Sequence, residues 1–166
     1  MKKALALLLA LVMVISMAAC GSKTTTPSTT AATTPAPAGN ETKAQVEASE
    51  LKVGVFYYTF ADTYISSVRT ALDAQLDSLG VTYNNFDGNN NQTTQNEQIQ
   101  TAVTDGYNLL VVNMVTSGSP DVANEIISLA NGTPVIFFNR AIEADGEEGT
   151  VLNANTNICF IGTDAP

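Results

Sequence analysis

The chain has 166 residues, and its 16 Asp and Glu outnumber its 7 Lys and Arg, which gives a net charge of −9 near neutral pH. An acidic surface repels phosphate backbones and anionic lipid headgroups, so nucleic-acid binding and purely electrostatic membrane adsorption are disfavoured. The sequence contains no His and only two Cys, Cys20 and Cys159. This composition excludes His-dependent catalysis, His-ligated metals, thiolate metal cages and a disulfide framework.

Residues 1–20 predict an export signal. Lys2 and Lys3 precede an apolar run of 12 residues, 4–15, which is short of the about 20 residues that a spanning helix needs. The Met-Ala-Ala-Cys sequence at 17–20 resembles the lipobox of bacterial lipoproteins, whose Cys is lipidated and becomes the new N-terminus. We therefore expect a lipid anchor on Cys20, and ordinary signal-peptide cleavage after Ala19 is the alternative.

Residues 21–50 predict a disordered tether. Thr, Ser, Pro and Ala occupy 16 of the 18 positions from 21 to 38, so this segment has little apolar surface to bury. A flexible coil of this length has a reach on the order of 30 Å. The folded part is then expected to comprise residues 51–166, which is enough for one lobe of an α/β architecture and too little for two.

The first strand and helix of the folded part are predicted from residue 52 onward. Residues 52–58 indicate a largely apolar strand that is buried on both faces. A helix follows that is capped by Asp62 or Thr63 and ends at Gly80. Its apolar positions predict an inward-facing stripe of Ile65, Val68, Leu72, Leu76 and Leu79.

Further strands and helices alternate along the rest of the chain. Strands are predicted at residues 81–86, 109–112, 135–138 and 157–161, and a second helix is predicted from about residue 93 to 104. Ser119 and Pro120 indicate the start of a third helix, which ends at Asn131. Residues 140–156 show no helical periodicity and are interpreted as a loop or irregular arm.

This alternation predicts the α/β class, with a doubly wound parallel sheet between two helical layers. Ligands of such sheets bind at the carboxyl ends of the strands. Carboxylate, amide and guanidinium groups can pair with the hydroxyls of a neutral ligand, and an aromatic ring can cover the apolar face of a sugar. The candidate site residues at these strand ends are Asp62, Tyr64, Asn113, Asn139 and Arg140.

These candidates also have structural interpretations. Asp62 can act only as a helix cap, and Tyr64 only as the first residue of a helix stripe. The Asp-Gly-Asn-Asn-Asn sequence at 87–91 is interpreted as a turn, because it lacks the spacing and the closing Glu of a calcium-binding EF-hand loop. No glycine-rich phosphate loop is present. Cys159 lies in an apolar strand and is expected to be a packed core thiol.

Seven segments carry a resemblance to a known family: residues 51–55, 62–64, 68–69, 95–99, 109–113, 134–140 and 161–164. In this order they resemble the sugar-binding periplasmic-binding-protein family with the type I fold, and in particular the glucose/galactose-binding proteins of bacterial ABC importers. The resemblance implies that Asp62 and Asn113 hydrogen-bond the sugar and that Tyr64 stacks on it. It also implies polar contacts from Asn139 and Arg140.

The same resemblance implies an extracytoplasmic lipoprotein that delivers a monosaccharide to the membrane subunits of an ABC permease. Family members have two lobes, so a chain that matches only the first is expected to be an N-terminal portion. The calcium site of galactose-type members would lie in the second lobe, and no cofactor is expected here. Two alternatives remain open: a sugar-sensing lobe of a signalling or chemotaxis system, and an enzyme on a flavodoxin-like sheet, which the lack of His disfavours.

Overall fold

The computed structural model describes residues 46–162, and the predicted leader, Cys20, most of the predicted tether and residues 163–166 lie outside this range. Residues 46–50, the end of the predicted tether, include the 3₁₀ turn Ala48–Glu50. The elements that follow are β1 (Lys52–Tyr57), α1 (Thr63–Leu79), β2 (Thr82–Asp87), α2 (Gln92–Thr104), β3 (Leu109–Val112), α3 (Pro120–Ala130), β4 (Val135–Phe138), α4 (Thr150–Ala154) and β5 (Ile158–Ile161).

The five strands form one parallel sheet in the order β2-β1-β3-β4-β5. Val53 of β1 lies opposite Tyr83 of β2 on one side and Leu109 of β3 on the other. The strand order reverses direction between β1 and β3, which is where doubly wound sheets bind ligands. The predicted α/β class and doubly wound parallel sheet are confirmed.

The two faces of the sheet are covered to different extents. On one face, α2, α3 and α4 contribute Ile99, Ile126 and Val151 to a core that includes Phe56 and Phe137 of the sheet. On the other face, α1 packs on β1 and β2, around Val53, Val55, Tyr57 and Ile65. The described residues provide no second helix for this face, so its apolar surface over β3 and β4 is partly open.

This open surface forms an apolar groove of about 780 Å³. The groove lies between α1 and the sheet and is lined by side chains that include Leu72, Leu76, Leu79, Val111, Ile136 and Ile161. Leu79 and Ile161 are 60% and 62% exposed. We use the name α1 groove for this surface.

The helix ends follow local sequence signals. The side chain of Asp62 accepts a hydrogen bond from the Ile65 N–H (2.8 Å) and caps α1, while Gly80 ends the helix in the left-handed conformation with φ 69°. Ser119 caps α3 and is followed by a first-turn proline. Within residues 46–162 no helix is both long and apolar enough to cross a membrane.

Three predictions from the sequence were wrong. Leu79 was assigned to the inward-facing stripe of α1, but it is 60% exposed. Residues 140–156 contain the short helix α4, because the Glu143 carboxylate accepts hydrogen bonds from the N–H groups of Gly149, Val151 and Leu152. Cys159 is exposed rather than packed in the core. It lies on β5 at the edge of the sheet, where alternate residues face away from the α3 and α4 core.

Candidate functional site

The carboxyl ends of β1, β3 and β4 meet at one edge of the sheet, where the loops after them are in contact. The Arg140 guanidinium, after β4, lies 4.4 Å from the ring centroid of Tyr58, after β1. Its Nη1 donates hydrogen bonds to the carbonyl oxygens of Met114 (3.1 Å) and Val115 (2.7 Å), in the loop after β3. Arg140 therefore joins all three loops.

Asp62 is both the cap of α1 and an ionised carboxylate at this edge. Its pKa is lowered, chiefly because the Ile65 N–H donates a hydrogen bond to the carboxylate. The positive charge of Arg140 acts in the same direction. An ionised carboxylate offers only acceptors, which suits it to bind ligand hydroxyls.

Tyr64 and Asn139 are the most exposed of the predicted site residues. Tyr64 is 62% exposed and lines an open cleft of about 330 Å³ together with Asn139 and Phe138. Asn139 has a left-handed backbone with φ 66°, an uncommon conformation for a residue other than glycine. An exposed ring at the edge formed by the carboxyl ends of the strands can cover the apolar face of a ligand.

Asn113 is fully buried, unlike the other four predicted residues. Its Nδ2 donates to the Phe138 carbonyl oxygen (3.1 Å), and its Oδ1 lies 3.5 Å from the Tyr58 backbone nitrogen. Its amide thus connects the ends of β3, β4 and β1. A contact between this side chain and a ligand, as the resemblance implies, remains a prediction and requires a local rearrangement, because the side chain is fully buried.

Sequence reasoning missed Tyr58 and two glutamines of α2 that support the loop after β3. Gln95 is fully buried; its Nε2 donates to the Asn113 carbonyl oxygen (3.0 Å), and its Oε1 accepts from the Val115 N–H (3.2 Å). The Oε1 of Gln92 accepts from the Thr116 N–H (2.9 Å). The sequence signal that could have identified the two glutamines is their spacing. Gln92 and Gln95 are three residues apart and lie on the same face of α2 as the buried Ile99.

The turn predicted at residues 87–91 is confirmed. One carboxylate oxygen of Asp87 accepts from the N–H groups of Phe60 (3.0 Å) and Asn89 (2.9 Å). Asn89 and Asn90 have positive φ values. In the part of the chain that the structure describes, no group of three or more Cys, His, Asp or Glu side chains could hold a metal ion.

A parallel α/β lobe with polar side chains at its strand ends defines a binding module, and residues 53–165 match the periplasmic binding protein domain family. The chain belongs to this family. The predicted family and lobe are thereby confirmed, as is the prediction of a binding protein rather than an enzyme.

Individual relatives match about two thirds of this chain. This chain is 30% identical over 120 residues to the D-galactose/methyl-galactoside binding periplasmic protein MglB of Haemophilus influenzae. The aligned residues cover 70% of this chain and 34% of the relative. Its fold is similar to that of a Caulobacter myo-inositol binding protein (TM-score 0.54, 21% identity, 69% and 35% of the two chains). It is also similar to the TorS sensor domain–TorT complex (TM-score 0.55, 21% identity, 69% and 37%). The chain spans about a third of the length of these relatives.

Proposed function

We propose that the chain is the N-terminal lobe of an extracytoplasmic, lipid-anchored substrate-binding protein that presents a galactose- or glucose-type monosaccharide to an ABC permease. The observation that carries the proposal is the Asp62 carboxylate, which has a lowered pKa, two residues before the exposed Tyr64 ring and at the edge where the carboxyl ends of the strands meet. The 30% identity to a D-galactose/methyl-galactoside binding protein supports this choice of ligand.

Each residue has a distinct role in this proposal. Asp62 accepts hydrogen bonds from sugar hydroxyls, and Tyr64 stacks on the C–H face of the ring. The exposed Asn139 amide adds a donor and an acceptor at the same cleft. Asn113 connects the strand ends, and the second hydrogen of its Nδ2 group is the donor that it offers to the sugar after a local rearrangement exposes it.

One lobe leaves one side of the ligand in water. A missing half-shell of several hydrogen bonds, each contributing about 0.5–1.5 kcal/mol, weakens a micromolar affinity to the millimolar range. We therefore expect this chain to bind hexoses with a dissociation constant on the order of millimolar.

Sugar binding is tested by NMR titration of the Cys20→Ala chain with D-galactose, D-glucose and myo-inositol. Asp62→Asn should abolish the saturable shifts and keep the stability of α1, because Asn caps a helix as well as Asp does. Asp77→Asn, at the opposite end of the same helix, is the matched control and should leave binding unchanged. The absence of saturable shifts with any of these ligands would contradict the proposal.

The lipid anchor is tested separately by fractionation of exported protein. The parent chain should be in the membrane fraction, and Cys20→Ala should move it to the soluble fraction, because acyl chains contribute about 0.8 kcal/mol per buried CH₂. Cys159→Ala is the matched control and should remain membrane-bound. Equal membrane association of the Cys20→Ala chain would remove the anchor from the proposal.

A further inference from the structure

A buried side chain of α2 holds the loop after β3, residues 113–119. The Nε2 of Gln95 donates a hydrogen bond to the Asn113 carbonyl oxygen (3.0 Å), and its Oε1 accepts one from the Val115 N–H (3.2 Å). Gln95 is fully buried, so the two backbone groups that it bonds would lose their partners without it. The start of this loop is therefore fixed by a helix that lies outside it.

Arg140, in the loop after β4, holds the same stretch of backbone. Its Nη1 donates hydrogen bonds to the carbonyl oxygens of Met114 (3.1 Å) and Val115 (2.7 Å). The guanidinium also lies over the Tyr58 ring, 4.4 Å from its centroid, which restricts its freedom. The N–H of Val115 is thus bonded to Gln95 and its carbonyl oxygen to Arg140, so side chains from two elements fix one residue of the loop.

The backbone that carries Arg140 is fixed as well. Asn139 precedes it in the left-handed conformation (φ 66°), and the Asn139 N–H donates to the Ile161 carbonyl oxygen of β5 (2.9 Å). After Arg140, the Ala141 carbonyl oxygen accepts a hydrogen bond from the Gly118 N–H (2.6 Å), near the end of the loop after β3. The loops after β3 and β4 are therefore joined at two points, through the Arg140 side chain and through the Ala141 backbone.

These bonds surround Asn113, which is one of the residues predicted to contact the sugar. The Asn113 side chain donates to the Phe138 carbonyl oxygen (3.1 Å), and its backbone carbonyl oxygen is bonded to Gln95. A shift of the loop after β3 would therefore move Asn113 relative to the ends of β1 and β4. A binding site is precise only where the groups around it are held by supporting contacts, so such a shift should weaken ligand binding.

We propose that Gln95 and Arg140 are positioning residues of the sugar site, which fix the loop after β3 and act on the sugar through it. The proposal rests on the proposed function and deepens it, because it adds Gln95 to the site and assigns Arg140 a role other than direct ligand contact. It requires two effects to occur together: loss of either side chain should loosen the loop and weaken sugar binding.

The hold on the loop is tested without any ligand, by amide hydrogen exchange of the Cys20→Ala chain. Gln95→Met should raise the exchange rate of the Val115 N–H by about tenfold or more, because it removes the acceptor of that N–H. Arg140→Met should raise the same rate by about threefold or more, although Arg140 does not bond to that N–H. Arg140→Lys should restore the parent rate, because an ammonium can donate to the same carbonyl oxygens. An unchanged rate in Arg140→Met would overturn the proposal.

A general loss of stability is separated from a local effect by comparison with a core amide. The Leu110 N–H donates to the Pro134 carbonyl oxygen (3.0 Å) within the sheet, and its exchange reports opening of the core. Ile99→Val, at a buried position on the same helix as Gln95, is the matched control for lowered stability. This variant should leave the ratio of the Val115 rate to the Leu110 rate unchanged, whereas Arg140→Met should raise it.

Gln92 provides a second route if Gln95→Met does not fold. It lies three residues before Gln95 on α2 and is only half-buried, and its Oε1 accepts a hydrogen bond from the Thr116 N–H (2.9 Å). Gln92→Met should raise the exchange rate of the Thr116 N–H, and Arg140→Met should raise that rate too. A Thr116 rate that responds to Gln92→Met but not to Arg140→Met would overturn the role of Arg140.

The effect on the sugar is tested by NMR titration of the same variants with D-galactose. Gln95→Met and Arg140→Met should each weaken binding by about threefold or more, and Arg140→Lys should bind within about twofold of the parent. Faster exchange of the Val115 N–H with unchanged affinity would show that the loop does not position the sugar and would overturn the proposal. Weaker binding of Arg140→Met with unchanged exchange would make Arg140 a direct contact and would overturn it as well.

The matched control for Arg140 is Lys52, at the opposite end of β1. Its ammonium also lies 4.4 Å from an aromatic centroid, that of Tyr107, and also donates to a backbone carbonyl oxygen, that of Asp105 (2.7 Å). Lys52→Met should change neither sugar affinity nor exchange in the loop after β3. If the parent chain binds no sugar, the proposed function fails and the role in sugar binding fails with it, while the exchange rates still decide whether Arg140 holds the loop.

Discussion

Asn113 connects three strand ends through one buried amide. Its side-chain Nδ2 donates a hydrogen bond to the Phe138 carbonyl oxygen, and its backbone N–H donates one to the Phe56 carbonyl oxygen. Its backbone carbonyl oxygen accepts a hydrogen bond from the Gln95 side chain. Asn108, at the opposite edge of the sheet, also bridges two segments, through bonds to Lys52 and Glu50, but it is exposed. Asparagine side chains therefore connect chain segments at one buried position, Asn113, and at one exposed position, Asn108.

This contrast predicts different costs for the two Asn→Ala substitutions. Asn113→Ala should lower the free energy of unfolding by about 1–3 kcal/mol, because it removes two hydrogen bonds at a buried position, one to the Phe138 carbonyl oxygen and one from the Tyr58 N–H. Asn108→Ala should cost less, since water can replace the amide. Chemical denaturation of both variants measures the difference, and equal losses would mean that burial does not set the cost at Asn113.

At the scale of single elements, the apolar stripe of helix α1 is only partly buried. All five stripe residues have the spacing of an inward face, yet Ile65 alone is fully buried, and Leu79 is 60% exposed. Hydrophobic periodicity identifies a face but not what covers it. The uncovered end of the stripe borders the α1 groove.

Substitutions at the two ends of the stripe should therefore differ. Ile65→Ala should lower the free energy of unfolding by about 2–5 kcal/mol, as expected for a large-to-small change in a packed core. Leu79→Gln should change it by less than about 0.5 kcal/mol. Thermal or urea unfolding of both variants measures these changes. A large loss in the free energy of unfolding of Leu79→Gln would show that the groove is covered.

Strong local signals made most elements predictable. The structure has β3 and β4 at the predicted residues, and α1 and α3 have the predicted caps. α4 was missed because its first turn is capped by Glu143, which precedes it by several residues, and not by a periodic pattern. The burial of Cys159 was misjudged because composition does not reveal which strand is at the edge.

The site was predictable only in part, because some of its contacts depend on the order of strands in the sheet. Asp62 is identified by its position after β1 and before α1. The contact between Tyr58 and Arg140 joins residues about 80 positions apart and depends on the strand order β1-β3-β4. Such a contact requires the sheet topology, which local patterns do not specify.

For the molecule as a whole, the α1 groove is the largest consequence of the uneven covering of the sheet. Exposed apolar surface favours association, and the high negative charge opposes it. We expect the chain to be marginally stable, with a thermal midpoint below about 60 °C.

The expected association is through the α1 groove. Sedimentation velocity of the Cys20→Ala chain should show concentration-dependent self-association that raised salt strengthens, because screening weakens charge repulsion. Leu79→Gln combined with Ile161→Gln should reduce it, whereas Val122→Gln, on the opposite face of the sheet, should not. A monomer at all concentrations with a cooperative midpoint above about 60 °C would contradict this account of the groove.

The most direct test of the sugar-site assignment is residue-resolved mapping of backbone NMR shifts during titration with D-galactose. The account predicts saturable shifts at Tyr58, at residues 62–64 and at residues 139–140, around the carboxyl ends of β1 and β4. Residues 105–108 and Lys52, at the opposite edge, should not shift. Saturable shifts confined to the α1 groove, or shifts that remain after Asp62→Asn, would contradict the assignment.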